Sequence, residues 1–168
     1  MNYTAFLAGK AADDKGRYIE DILSWGFFRL EFRHDYIQRL FPLPERSQAD
    51  RRCEPLTDED VTALRNSEDA VENMRRAYAV MLRFWKLDGD RYRNPAEKRH
   101  WVRKSGKDHN LLRMSRVLKC LKLVDPPSYE DFAVRISCLL DLAENGMFPL
   151  RAETRRIWRK ILSEGGAE

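Results

Sequence analysis

Apolar residues recur every three or four positions along almost the whole chain, and nowhere do they alternate with polar ones over a useful length. A chain patterned at the helical period can gather its apolar stripe onto one face only as a helix, so the fold class expected is all-α without significant sheet. Val71, Met74, Tyr78, Met81 and Trp85 line one side of a segment that opens near Ser67. Leu111, Met114, Leu118 and Leu121 do the same in HNLLRMSRVLKCLKL, which Asp108 can cap. Tyr18, Ile19, Ile22 and Trp25 share a side over 17–25, and FFRLEFRHDYIQRLF reads as one helix carrying Leu30, Ile37 and Phe41. Phe132, Ile136, Leu139 and Leu140 mark a helix capped by Ser128-Tyr129-Glu130-Asp131, and Ile157, Trp158, Ile161 and Leu162 mark a last one over 151–163.

The punctuation follows the same logic. Pro42 and Pro44 stop the helix before them, Pro126-Pro127 end another region, and Asn145-Gly146 close the helix that follows. Thr57-Asp58-Glu59-Asp60 reads as a capping box and Asn94-Pro95 as a helix start. Without repeats, long linkers or low-complexity tracts, the 168 residues are expected to form one domain of seven or eight helices. Residues 1–12 and 164–168 are expected to be mobile ends.

Several functional classes drop out. No apolar run approaches the ~20 residues of a membrane span, and MNYTAFLAGKAADDKG lacks the charged start and apolar core of a secretory signal. The expectation is a cytoplasmic, soluble protein. Cys53, Cys120 and Cys138 are odd in number and far apart, so neither a disulfide framework nor a Cys-rich zinc site is expected. His34, His100 and His109 show no ligand spacing, so no metal and no cofactor are expected. Gly-rich phosphate loops and nucleophile elbows are absent from the sequence. Cys120 and His109 share a helix face but stand about 16 Å apart along it at 1.5 Å per residue, too far for a dyad. No catalytic residue is assigned; a hydrolase or transferase using His34 or His109 as base is the weakest reading.

Charge is uneven. The net charge is +4, and the span Arg91–Lys122 holds 11 basic residues against Glu97 and Asp108 alone. Glu54–Glu72 is the acidic counterpart, with seven acids against Arg65. Such asymmetry fits mutual attraction of the two halves, solvated faces, or an anionic partner. The third reading makes Arg91, Arg93, Lys98, Arg99, Trp101, Arg103, Lys104 and Lys107 a basic patch for nucleic acid or phosphate, with Tyr92 and Trp101 available for stacking.

Two rows of polar side chains sit where the helical pattern places the edge of the core. Glu31, His34 and Gln38 border the Leu30/Ile37/Phe41 stripe, while Asp35 is expected to point further toward solvent. His109, Arg113 and Arg116 follow at i, i+4 and i+7 opposite the leucine face, and Cys120 continues the row. Guanidiniums and an imidazole in line suit a carboxylate or phosphate. Equally, they suit acids of the same chain, such as Asp21 or Glu31, as a lock between helices. Both readings stand at this point.

GRYIEDILSW at 16–25, LEFRHDYIQRLFPLPERS at 30–47 and HNLLRMSRVLKCL at 109–121 together resemble the opioid growth factor receptor conserved region, as does MLRFWKL at 81–87. The resemblance runs over about 16–123, with the three motifs in order, and resembles the compact stand-alone form found in bacteria. It implies a non-enzymatic, receptor-like domain whose ligand is a short peptide or small carboxylate-bearing molecule; the family's vertebrate member is a receptor for an enkephalin peptide, unrelated to seven-helix receptors. By position, the resemblance covers Glu31, His34, Tyr36, Ile37 and Gln38, and also His109, Asn110, Leu112, Arg113, Arg116 and Leu118. Arg39 stands where the pattern has Trp, and Ser115 where it has Thr. The candidate ligand-binding set is therefore Glu31, His34, Gln38, His109, Asn110, Arg113 and Arg116, facing one another across a groove between two helices.

Overall fold

A computed structural model describes residues 1–47, 50–94, 96 and 109–164. Among them are nine α-helices and no strand: α1 (Tyr3–Leu7), α2 (Ile19–Leu23), α3 (Phe27–Phe32), α4 (Ile37–Leu40), α5 (Asp58–Arg65), α6 (Glu68–Trp85), α7 (His109–Val124), α8 (Pro126–Glu144) and α9 (Ala152–Ser163), with a 3-10 turn at Arg91–Arg93. The all-α expectation holds in one compact domain.

The long helix α7 occupies the centre. It packs on α5, α6, α8 and α9, while α6 in turn carries α1, α2 and α5. Leu111, Met114, Val117, Leu118 and Leu121 of α7 are buried against the Met74, Ala77, Met81 and Trp85 stripe of α6 and the Phe132, Ile136 and Leu139 stripe of α8, in one continuous core. Trp85 stacks on Phe132 with centroids 6.0 Å apart. Fully buried Trp158 seats α9 by donating its indole N–H to Ser115 Oγ at 2.9 Å. A fully buried indole needs such a partner for its polar edge.

The helix ends follow local chemistry. Thr57 Oγ1 accepts from the Asp60 amide at 3.1 Å and Asp60 Oδ2 accepts from the Thr57 amide at 2.9 Å, completing the expected capping box. Ser67 opens α6 by accepting from the Ala70 amide. At its other end α6 stops with Lys86 in the left-handed conformation, φ 55°.

Four expectations are corrected. The segment 27–41 is two helices rather than one, because Arg33 turns extended (φ −93°, ψ 134°) and the chain re-enters helix only at Ile37. Fully buried Tyr36 drives the break: its ring lies edge-on to Trp25 and its hydroxyl donates to the Leu30 carbonyl at 3.2 Å, a position a continuous helix would not give it. Pro126 and Pro127 start α8 instead of closing the region before it, since proline lacks only an N–H that the first helical turn leaves unused. Residues 1–12, expected as a mobile end, hold α1, whose Tyr3, Phe6 and Leu7 are in the core. Asp35, expected toward solvent, is drawn in by Lys15 and Arg17. Pro95 of the Asn94-Pro95 helix start, the Asp108 cap and most of the 164–168 end lie outside the described residues.

Candidate functional site

The break in 27–41 makes the site. Where α3 stops, the carbonyls of its last turn have no helical successors to satisfy them. Arg113, 4% exposed, reaches across from α7 and takes them: Nη1 donates to the Leu30 carbonyl at 3.0 Å, and Nη2 to the Arg33 carbonyl at 2.6 Å and the Glu31 carbonyl at 3.4 Å. Nη1 also donates to Asn110 Oδ1 at 3.1 Å, and the guanidinium lies over the Tyr36 ring, 5.3 Å from its centroid. A planar cation at the negative end of a helix is well placed electrostatically. Arg113 thus caps α3 from another helix, and the partners it finds are backbone carbonyls rather than the carboxylates of Asp21 or Glu31.

Behind it, Glu31 Oε2 accepts from Asn110 Nδ2 at 3.1 Å and Glu31 Oε1 lies 3.1 Å from His109 Nε2. Asn110 Oδ1 also accepts from Trp85 Nε1 at 3.3 Å, tying the cluster to the core. Burial works against the Glu31 charge, but the Asn110 hydrogen bond, the adjacent His109 imidazole and the Arg113 charge outweigh it and hold the carboxyl below its ordinary range. The His34 and His109 rings meet edge to face at 4.8 Å. Burial first, and then the Arg113 charge, lower both imidazoles' pKa values, favouring their neutral forms.

In front of this cluster opens a cavity of about 390 Å³. His34 and Gln38 form one side, His109, Leu112, Arg113, Ser115, Arg116 and Lys119 of α7 the floor, Leu43, Glu45, Arg46 and Ser47 the rim, and Ile157 of α9 the far wall. All seven candidates therefore gather at one junction, but only His34, Gln38, His109, Arg113 and Arg116 reach the cavity. Glu31 and Asn110 stand behind it as supports.

Three of the cavity groups lack a hydrogen bond among the described residues. Gln38 is 3% exposed and its Oε1 has no hydrogen-bond partner, and His109 Nε2 faces Glu31 only as an ion-pair contact. Arg116, half-buried, makes no hydrogen bond or ion pair among the described residues. Burial lowers its guanidinium pKa, opposed by the surrounding Cys120, Cys53, Glu45 and Tyr3 side chains rather than by a bonded carboxylate. The sequence pattern made Arg113 and Arg116 equivalent; the structure satisfies the first and leaves the second open. It also adds Lys119 of α7 and, from a loop and a distant helix for which the helical pattern carried no signal, the rim of Leu43, Glu45, Arg46 and Ser47 and the Ile157 wall.

Of the basic patch, only Arg91 and Arg93 are among the described residues. Arg91 pairs with Asp88 at 3.3 Å and Arg93 lies over the Tyr92 ring. Lys98, Arg99, Trp101, Arg103, Lys104 and Lys107 lie outside the described residues. Among the described residues there is no group of three or more His, Cys, Asp and Glu side chains placed to hold a metal ion, and no helix is long and apolar enough to cross a membrane.

A family model described as the opioid growth factor receptor (OGFr) conserved region matches residues 1–153, further at both ends than the motifs alone suggested. Opioid growth factor receptor-like protein 1 of Mus musculus is 30% identical over 138 residues, covering 77% of this chain and 30% of that protein. The opioid growth factor receptor of Homo sapiens is 35% identical over 115 residues, 63% of this chain and 17% of that protein. That of Mus musculus is 34% identical over 131 residues, 71% of this chain and 20% of that protein. The chain thus spans less than a third of the length of these relatives. No solved structure matches it.

Proposed function

Because the chain belongs to the opioid growth factor receptor conserved-region family, we propose that it is a non-enzymatic binding domain whose cavity receives a short peptide or small carboxylate-bearing ligand. Arg116 is the anchor. The observation that carries this reading is a half-buried guanidinium on the floor of an open cavity with neither hydrogen bond nor ion pair among the described residues. A desolvated cation is costly without a counter-ion, and a planar guanidinium matches a carboxylate through two parallel N–H bonds. Neutral His34 and His109 and the amide of Gln38 offer hydrogen bonds beside it, and Leu43, Leu112 and Ile157 offer apolar contact. Arg113 positions the floor, since its donors already serve the α3 carbonyls.

The receptor names of the relatives agree with a ligand-binding role and do not favour the nucleic-acid alternative. Calorimetric titration with a panel of N-acetylated amino acids, each as free acid and as amide, tests the proposal. Saturable binding of acids, absent for the amides and lost in Arg116→Leu, is the expected result. Acids that bind Arg116→Leu as well as wild type, or no acid that binds at all, would refute it.

A further inference from the structure

A second cavity, about 780 Å³, continues from the first: both are lined by Leu43, Glu45 and Lys119. We propose that the two form one groove along α7 that reads a peptide in a fixed direction, with its free C-terminal carboxylate at Arg116 and an upstream apolar side chain in the second cavity. This rests on the carboxylate reading of the first cavity.

Charge sets the direction. Arg65 and Lys122, the cations that line the second cavity alone, are already engaged: Arg65 Nε donates to the Leu123 carbonyl, and Lys122 Nζ donates to the Ile161 carbonyl at 2.7 Å. Its lining also includes the acids Glu130 and Glu164, which repel a carboxylate. What remains for a ligand there is apolar: Pro44, Leu123, Pro126, Tyr129 and Ile161. An anionic terminus therefore belongs at Arg116 and an uncharged side chain beyond the shared wall.

That wall is low. Lys119 Nζ meets Glu45 Oε1 at 2.7 Å, but their side chains are 37% and 59% exposed, and an ion pair in water is worth little. Its polar atoms can turn to a peptide backbone crossing above it. From Arg116 to Leu123 is about 10 Å along the helix axis at 1.5 Å per residue, or roughly three residues of extended chain. A single N-acetylated amino acid stays in the first cavity, and a tetrapeptide reaches the second.

The test compares N-acetylated leucine with an N-acetylated tetrapeptide acid of leucine and alanine, and with that tetrapeptide's C-terminal amide. The tetrapeptide acid should bind about tenfold tighter or more, as burial of one further apolar side chain allows. That gain should vanish in Tyr129→Ala and in Pro44→Glu, whose position is exposed, while both variants hold N-acetylated leucine as wild type does. Equal affinities for the two acids, or a gain that survives both substitutions, would overturn the groove while leaving the carboxylate reading intact. A tetrapeptide amide bound as tightly as the acid would overturn the direction. Failure of both acids to bind would instead strike the carboxylate reading beneath it.

Discussion

Arg39 is wholly buried, yet it lies among acids from distant parts of the chain. Its Nη2 donates to Asp14 Oδ2 at 2.7 Å and its Nη1 to Asp50 Oδ2 at 3.1 Å, with Asp13 3.5 Å away. The sequence showed only that Arg39 replaces a tryptophan of the family pattern; its partners lie 25 residues before it and 11 after, beyond any helical spacing. Arg39→Met is expected to cost about 3–5 kcal/mol in chemical denaturation, because it strands carboxylates in a buried nest. Arg113 and Arg116 separate by the same logic. Arg113→Ala removes the guanidinium donors of the Glu31 and Arg33 carbonyls and leaves Leu30 only the Tyr36 hydroxyl, and should cost about 2–4 kcal/mol; Arg116→Leu, which breaks no bond among the described residues, should leave the unfolding free energy within about 0.5 kcal/mol of wild type. Identical costs for the two would contradict their assigned roles. Asp35 adds a pH signature: burial opposes its charge, but the Lys15 hydrogen bond and the Arg17 charge prevail and set its carboxyl at about 2, against 3.8 in the unfolded chain. A folded value below the unfolded one gives stability that is present above about pH 4 and lost as pH falls toward 2. Asp35→Asn should thus melt below wild type at pH 7, with the gap closing below about pH 3.

At the level of elements, periodicity found the long helices and their buried faces, because a stripe at the 3.6-residue period is a local property. It merged α3 with α4 for the same reason. Leu30 and Ile37 keep helical spacing across the break, and only the inward turn of Tyr36 against Trp25 and Met81 separates them. The capping box of α5 was legible as residues alone, and Thr57→Ala should cost about 1 kcal/mol in thermal or urea melts. The prolines were legible as punctuation, though not as to which side of them the helix lies: Pro126 can begin a helix as readily as follow one.

Across the whole molecule, α7 is both the centre of the core and the floor of the cavity, so one face carries leucines and the other carries the polar row. That division was visible in the sequence; the walls set against it, from Leu43, Glu45, Arg46, Ser47 and Ile157, were not, because they arrive through tertiary contacts. On the proposed reading, Arg116 is the side chain that takes an anion, while Arg113 is already held by backbone carbonyls. The most direct check follows the arginine side-chain resonances by NMR during titration with an N-acetylated amino acid. The Arg116 signals are expected to shift and slow their exchange on addition of the free acid but not of the amide, while the Arg113 signals are protected from the start and stay in place. Protected Arg116 signals in the free protein, or movement of Arg113 in place of Arg116, would contradict it.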